Sequence, residues 1–90
     1  MKTFRIASAY KKDLKRISRR GYDLAPLATV LNALQAARQL PPERRDHPLK
    51  GAWKGHRECH IEPDWLLIYL PTATEVLLAR TGTHADLFKN

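Results

Sequence analysis

The chain predicts an α+β fold in which two N-terminal helices pack on a small, mainly antiparallel sheet. Its first forty residues carry apolar side chains at helical spacing, whereas the second half carries alternating or densely apolar runs of the kind that form strands. The expected order is strand, helix, helix and three strands, closed by a short helical turn. Ninety residues suit one core, so we expect a single domain over residues 1–90.

The first predicted elements are a short strand over residues 3–8 and a helix that continues to about residue 20. Ser8 is the expected N-cap, and Gly21 is expected to end the helix. Three side chains recur at i, i+4 and i+7 and predict one apolar face: Tyr10, Leu14 and Ile17.

A second helix is predicted after Asp23, its expected N-cap. Pro26 is tolerated in the first turn, and Pro41 with Pro42 is expected to close the helix. Six apolar side chains predict a broad face against the core: Leu24, Leu27, Val30, Leu31, Leu34 and Ala37.

The second half predicts strands after a loop over residues 42–51. GHRECHIE (55–62) alternates, WLLIYL (65–70) is apolar enough for a buried central strand, and EVLLARTGT (75–83) predicts the next one. HADLFKN (84–90) is expected to add a last helical turn.

Charge is the strongest global signal. Sixteen Lys and Arg against nine Asp and Glu leave a net charge of +7, and six of the basic residues lie between residues 11 and 20. Such clustering favours a polyanionic partner, nucleic acid before membrane, or an acidic protein that masks the same surface.

The expected compartment is the cytoplasm. A single cysteine, Cys59, excludes an internal disulfide and is typical of a reducing environment. The N-terminus does not read as a secretory signal, and no apolar stretch approaches the roughly 20 residues that span a bilayer.

Four histidines all follow residue 46 and carry the chemical signal: His47, His56, His60 and His84. On a strand over residues 55–62, two of them would share one face with Glu58 and Glu62 because side chains alternate. The ordinary interpretation of such a row is a solvated sheet face. Whether His47 and His84 converge on it stays open at this level.

These residue types suit RNA cleavage. A base must take the proton of the ribose 2′-OH, an acid must protonate the leaving 5′-oxygen, and a cation must stabilise charge on the phosphorane. Histidine suits the first two roles because its ordinary pKa is about 6.5, and Arg or Lys suits the third.

A zinc site is a weaker interpretation of the same residues. His56, Cys59 and His60 resemble part of a ligand set, but on a strand Cys59 faces away from both histidines. No CxxC pair or HExxH helix accompanies them, so we expect neither a metal nor another cofactor.

Two runs, DHPLKGAWKGHRECHIEPDWLLIY (46–69) and RTGTHADLF (80–88), resemble the YafQ-type toxins of the RelE/ParE superfamily. The resemblance implies a RelE/ParE-like fold and metal-independent cleavage of mRNA in the ribosomal A site. It also implies an acidic, DinJ/RelB-like antitoxin that binds the toxin in a hetero-oligomer. We expect the free toxin to be monomeric.

In this family the site is a cluster of histidines and aspartates, which matches His47, His60, Asp64 and His84 here. We assign His84 as the general acid that protonates the leaving oxygen. Asp64 or His60 is the expected base, and His47 is expected to hold the phosphate.

Four more residues are assigned to the substrate. Trp65 and Phe88 match family positions near the site and are expected to orient the nucleotide. Arg80 is expected to stabilise phosphate charge, although its strand parity also permits a structural role. Glu58 stands where the family often has aspartate.

The ribosome is expected to position the RNA, because orientation is worth up to roughly 7–11 kcal/mol of barrier in favourable cases. The basic first helix would then dock near the decoding centre of the 70S ribosome. The docking residues on 16S ribosomal RNA are expected to be Lys11, Lys12, Lys15, Arg16 and Arg19.

Two alternatives share the fold. One is a ParE-like toxin that poisons gyrase, which would have no need of an acid–base cluster. The other is a module that binds RNA or antitoxin without catalysis.

Overall fold

The structure, a computed structural model, describes residues 1–88 as a five-stranded sheet with helices packed on it. It confirms the predicted α+β class. The strands are β1 (Thr3–Ile6), β2 (His47–Pro48), β3 (Arg57–Glu62), β4 (Trp65–Pro71) and β5 (Glu75–Gly82). Their order in the sheet is β1-β5-β4-β3-β2, and among these described strands only β1 and β5 pair in parallel. The helices are α1 (Ser8–Arg19), α2 (Ala25–Gln35) and α3 (His84–Leu87).

The predicted last turn is observed as α3, and the part of that prediction that falls on Lys89 and Asn90 lies outside the described residues. None of the helices within residues 1–88 is long and apolar enough to cross a membrane.

The segment predicted as a loop over residues 42–51 contains a strand. His47 and Pro48 form β2, which pairs antiparallel with Glu58 and Arg57 of β3. Two residues are too few to show a period of two, and a proline inside such a run argues against a strand except at a sheet edge. β2 does lie at the edge of the sheet.

Helix α1 packs against the core through its predicted apolar face. Tyr10 and Ile17 are buried, and Gly21 has a positive φ of 82° that ends the helix as expected. The predicted N-cap is wrong by one residue, because Ser8 is already helical and Ala7 occupies the cap without a side-chain bond. Asp13 is also buried, which the pattern did not indicate.

Helix α2 ends earlier than predicted, at Gln35 and not at the two prolines. Ala37 adopts a left-handed φ of 56°, and Arg38 N–H donates to the carbonyl of Ala33 at 2.9 Å. This is a Schellman ending without the usual glycine, so no sequence signal marked it. Ala37 is therefore exposed, outside the apolar face predicted for it. Leu24, at the opposite end of the helix, is also exposed.

The start of α2 differs from the prediction in the same small way as α1. Leu24 is the N-cap, while Asp23 accepts a hydrogen bond from the backbone N–H of Ala25 at 3.0 Å. Asp23 thus satisfies a first-turn donor from one residue further out.

Strand β4 forms the centre of the molecule, between β3 and β5. Alternate side chains of this strand, Trp65, Leu67 and Tyr69, belong to one buried cluster with the apolar residues of both helices. Leu66 and Ile68 are fully buried as well, so the dense apolar run is explained by a strand covered on both faces.

A buried carboxylate joins α1 to the sheet. Strand β1 ends opposite Leu78, so the edge of β5 has no strand partner beyond that point. The carboxylate of Asp13 accepts a bond from the backbone N–H of Thr81 at 3.1 Å, and from Arg80 Nε at 2.6 Å and Nη2 at 3.1 Å. A helix side chain thereby satisfies an edge donor that a further residue of β1 would otherwise have taken.

Replacing this carboxylate should destabilise the fold. We expect Asp13→Ala to lower the free energy of unfolding by about 2–4 kcal/mol, since it leaves the buried Thr81 N–H and the Arg80 guanidinium unpaired. Urea unfolding followed by circular dichroism measures the change. The control is Lys12→Ala, an exposed neighbour on the same helix, for which a change within about 0.5 kcal/mol is expected. Equal effects of the two substitutions would contradict this role of Asp13.

Candidate functional site

Pairing of β2 with β3 places two histidines beside one carboxylate. His47 lies opposite Glu58, and its Nε2 is 3.1 Å from Glu58 Oε1. His60, two residues along β3, has its Nε2 4.0 Å from the same oxygen. The Glu58 side chain is only 8% exposed, so its charge is directed at the two imidazoles more than at solvent.

The expectation of a solvated sheet face is therefore wrong for Glu58. It also fails for His56, which precedes β3, packs edge-on against Trp53 at 5.2 Å and buries its Nδ1 without a partner among the described residues. The strand register shifts between His60 and Glu62, which interrupts the simple alternation at that end.

A second pair forms where β4 begins and β5 ends. Asp64 lies in the turn before β4, and His84 is the first residue of α3. Asp64 Oδ1 accepts from the backbone N–H of His84 at 2.9 Å and lies 2.6 Å from His84 Nδ1. A carboxylate can only accept here, so Nδ1 carries the proton and Nε2 is left without an intramolecular partner among the described residues.

The two contacts with His84 change the pKa of the Asp64 carboxyl group. The backbone N–H of His84, followed by its ring N–H, lowers the pKa of Asp64 below its ordinary value because both bonds favour the ionised form. Asp64 is therefore an anion that orients His84, as a carboxylate orients the imidazole in many acid–base sites.

The two pairs adjoin. The rings of His60 and His84 are 6.0 Å apart, and His60 Nδ1 faces the carbonyl of Pro63 at 3.3 Å. We call the resulting set the histidine row. It consists of His47, Glu58, His60, His84 and Asp64.

The histidine row has the composition of an acid–base site. His47 and His84 are about half exposed, with side-chain exposures of 49% and 57%. A phosphate could therefore approach from solvent. Of the two carboxylates that contact the rings, Glu58 is nearly buried and Asp64 is itself 66% exposed. The row combines groups that can give and accept a proton within one short span of surface.

Two residues that the sequence assigned to the substrate have structural roles instead. Trp65 is 1% exposed and donates from Nε1 to Thr81 Oγ1 at 2.9 Å, so its ring offers no face to a nucleotide. Arg80 directs two donors at Asp13, so we correct its expected phosphate role to the structural one that strand parity permitted. Phe88, by contrast, is 38% exposed just beyond α3.

The basic face of α1 is intact apart from one residue. Lys11, Lys12, Lys15 and Arg19 are exposed. Arg16 differs, since its Nη1 lies 3.4 Å from Asp13 and 4.0 Å from a second carboxylate, that of Asp86. Part of its charge is therefore neutralised within the molecule.

Sequence reasoning missed the residues that hold β2 in place. Asp46 Oδ1 accepts from Arg57 Nε at 3.1 Å and from the Tyr69 hydroxyl at 2.8 Å. Arg57 and Tyr69 are register partners on β3 and β4. Burial, followed by the bond to Asp46, raises the pKa of Tyr69, so its hydroxyl stays a donor. The network depends on Arg57 lying opposite Tyr69 on the neighbouring strand. The sequence does not give this register, so it carried no signal for the network.

Comparison with known proteins identifies the family of the chain. The family described as "Bacterial toxin of type II toxin-antitoxin system, YafQ" matches residues 2–89. The chain belongs to the YafQ toxin family. The resemblance that the two sequence runs predicted is thereby confirmed.

A curated YafQ relative and two solved structures resemble the chain over nearly its full length. The mRNA interferase toxin YafQ of Escherichia coli K12 is 45% identical over 80 residues, which are 88% of this chain and 87% of the relative. The E. coli DinJ–YafQ complex matches with a TM-score of 0.90 at 38% identity, covering 98% and 99% of the two chains. A copper-bound mutant toxin from Helicobacter pylori matches with a TM-score of 0.93 at 39% identity, covering 98% and 100%.

The copper belongs to that H. pylori structure. In the part of this chain that the structure describes, no three His, Cys, Asp or Glu side chains come together as a set that could hold a metal ion. Cys59 is fully buried in the apolar cluster, and burial raises the pKa of its thiol to about 12.

The bond between Asp64 and His84 predicts a specific titration. The Asp64 carboxyl should titrate below the ordinary aspartate value of about 3.9, and His84→Ala should raise its pKa only part of the way, because the backbone N–H remains. A lowered pKa means that the contact stabilises the fold above about pH 4 and that this contribution declines as the pH falls further. Carbon-detected NMR measures the pKa of Asp64 in the wild type and in His84→Ala. Identical pKa values would show that the ring contact does not form.

Proposed function

We propose that this YafQ-family toxin cleaves mRNA in the A site of the ribosome by metal-independent acid–base catalysis. Its curated relatives are mRNA interferases, so the chain is an endoribonuclease. The observation that supports the finer proposal is the histidine row, in which three histidines and two carboxylates lie next to one another and two of the histidines are about half exposed.

His84 is the proposed general acid. Asp64 occupies its Nδ1, so the proton that leaves must come from Nε2, the nitrogen on the other side of the ring. Donation to the 5′-oxygen occurs as the bond from phosphorus to that oxygen breaks. The negative Asp64 stabilises the charged ring before donation.

His60 is the proposed base. Asp64, the alternative, already accepts two bonds from His84 through one oxygen. When His60 donates from Nδ1 to Pro63, its Nε2 can take the proton of the 2′-OH, whose oxygen then bonds to phosphorus. Glu58, 4.0 Å from that nitrogen, stabilises the imidazolium that results. The products are a 2′,3′-cyclic phosphate and a 5′-hydroxyl.

His47 is proposed to bind the phosphate. Its Nδ1 faces the carbonyl of Pro48 and its Nε2 faces Glu58, both at 3.1 Å. The side chain is 49% exposed, so a phosphate can reach the ring and accept a hydrogen bond from it in exchange for one of these partners. Phe88 supplies an exposed ring at the end of α3 on which a nucleotide base could stack.

The basic face of α1 is proposed to dock on 16S ribosomal RNA near the decoding centre, which places the toxin's action in the cytoplasm. A net charge of +7 also suits an acidic antitoxin. A DinJ–YafQ complex is known from E. coli, and we propose a DinJ-like partner for this chain, with a monomeric toxin when free.

Primer extension on a defined mRNA tests the reaction. We expect cuts within codons only when programmed 70S ribosomes are present, and a loss of about 10²–10⁴-fold in rate for His84→Ala, the range for removal of an acid–base group. His56→Gln is the matched control, since this histidine lies outside the histidine row, and it should retain cleavage.

Two other outcomes would revise the proposal. Cleavage of free RNA would keep the enzyme but remove the ribosome from the mechanism. Growth inhibition by a folded protein that cuts no RNA under either condition would favour the gyrase-directed alternative.

Charge reversal on α1 tests the docking surface. Lys11→Glu, Lys12→Glu and Lys15→Glu together should weaken ribosome binding. For each phosphate that the variant no longer neutralises, the slope of log affinity against log salt should become shallower by about 0.7–0.9. Arg16 is left unchanged because it also contacts two carboxylates of the fold.

The matched control for this variant carries the same three reversals at exposed positions outside α1: Arg38, Lys50 and Lys54. Sedimentation with ribosomes over a salt series measures both proteins. Equal weakening would show that net charge alone matters and that α1 is not the docking surface.

A further inference from the structure

The helix that carries the proposed general acid is too short to be stable by itself. α3 has four residues, and an isolated helix of that length does not form in water. A capping box holds its first turn, with Asp86 N–H donating to Thr83 Oγ1 at 3.2 Å and Thr83 N–H donating to Asp86 Oδ2 at 3.0 Å. The position of His84 therefore depends on the side chain of Asp86.

Asp86 is in turn held by α1. Arg20, directly after the last residue of α1, donates from Nη1 to Asp86 Oδ2 at 2.8 Å and from Nη2 to Oδ1 at 2.9 Å. Arg16 adds a second positive group, with its Nη1 4.0 Å from Asp86 Oδ1. The two parallel bonds fix the plane of the carboxylate as well as its charge.

The carboxylate is enclosed on its other side. Its side chain is 12% exposed, and a Cβ added at Gly82 would lie 2.9 Å from the Cβ of Asp86. α3 thus folds back tightly on the end of β5, at a position where only a glycine leaves room.

We propose that Arg20 and Asp86 are positioning residues of the cleavage reaction, which hold α3 so that His84 meets Asp64 and His60. The inference rests on the proposed function. The path runs from α1 through Arg20 to Asp86, through the capping box to Thr83, and from there to the backbone N–H of His84, which donates to Asp64.

The ion pair of Arg20 and Asp86 differs from an ordinary surface ion pair in its contacts and burial. Exposed pairs contribute little because solvent screens them and two mobile side chains must be ordered. Arg5 and Glu75 are of that kind, 3.8 Å apart with side chains 69% and 38% exposed. Asp86 differs because the same carboxylate also accepts within the capping box. The bonds from Arg20 hold its pKa well below the ordinary range, so it stays ionised at any pH at which the toxin would act.

Steady-state cleavage on programmed ribosomes tests the proposal first, with Arg20→Met, Asp86→Asn and the double variant. Asparagine keeps an acceptor for the capping box while removing the charge. We expect kcat to fall by about 10–100-fold, as for a displaced catalytic group, with KM nearly unchanged. The double variant should be little worse than either single one. Arg20→Lys should restore part of the loss, and the control Arg5→Met should match the wild type.

The ring of His84 supplies a second readout that needs no activity. In the wild type, nitrogen-15 NMR should show the protonated Nδ1 that Asp64 holds, and this signal should weaken or shift in Arg20→Met. The same change should leave the Nδ1 signal of His47 in place, since β2 holds that ring independently.

The outcomes are distinguishable. Unchanged kcat and unchanged His84 signals in Arg20→Met would overturn the inference. A raised KM at constant kcat would also overturn it, because Arg20 would then bind RNA directly. A wild-type protein that fails to cut mRNA on ribosomes would overturn the proposed function instead, while the His84 signals would still decide whether Arg20 and Asp86 hold the ring.

Discussion

The architecture of this toxin depends on the carboxylate of Asp13, which is buried where β1 ends and β5 continues with a strand partner, β4, on one side only. A lone charge in that position would be strongly destabilising, and it is tolerated because four donors surround it. Its bond to the backbone of Thr81 also sets the register of α1 along β5. With that register set, Arg20 at the end of α1 reaches Asp86.

The histidine row forms where several elements of the fold come close together. β2 contributes His47, β3 contributes Glu58 and His60, the turn into β4 contributes Asp64, and α3 contributes His84. Backbone pairing within the sheet and a few polar contacts join these elements at the row. The sheet is therefore the rigid part of the site, and each histidine is oriented by a carboxylate or a carbonyl beside it. Support of this kind is what the proposed catalytic roles of these histidines require.

The basic side chains on and near α1 fall into two groups, exposed ones and ones paired with carboxylates. The lysines of α1 and Arg19 are exposed, and Arg16, Arg20 and Arg80 are paired with carboxylates of the fold. The arginines suit that pairing because a guanidinium makes two parallel bonds, and the lysines suit contact with phosphates as mobile point charges. One side of α1 therefore makes ion pairs within the fold, and the exposed lysines on its other side make none of those ion pairs.

The sequence by itself determined the α+β class, the buried face of α1, the central strand and, through two long runs, the YafQ family. These features follow from local periodicity and from contiguous motifs. Tertiary structure alone decided that Asp13 is buried, that Trp65 bonds to Thr81, that Arg80 pairs with Asp13, and that β2 exists. It also decided which carboxylate faces which histidine. The physical reason is that each of these depends on strand register and on the end of β1, where a side chain's partner comes from a distant part of the chain.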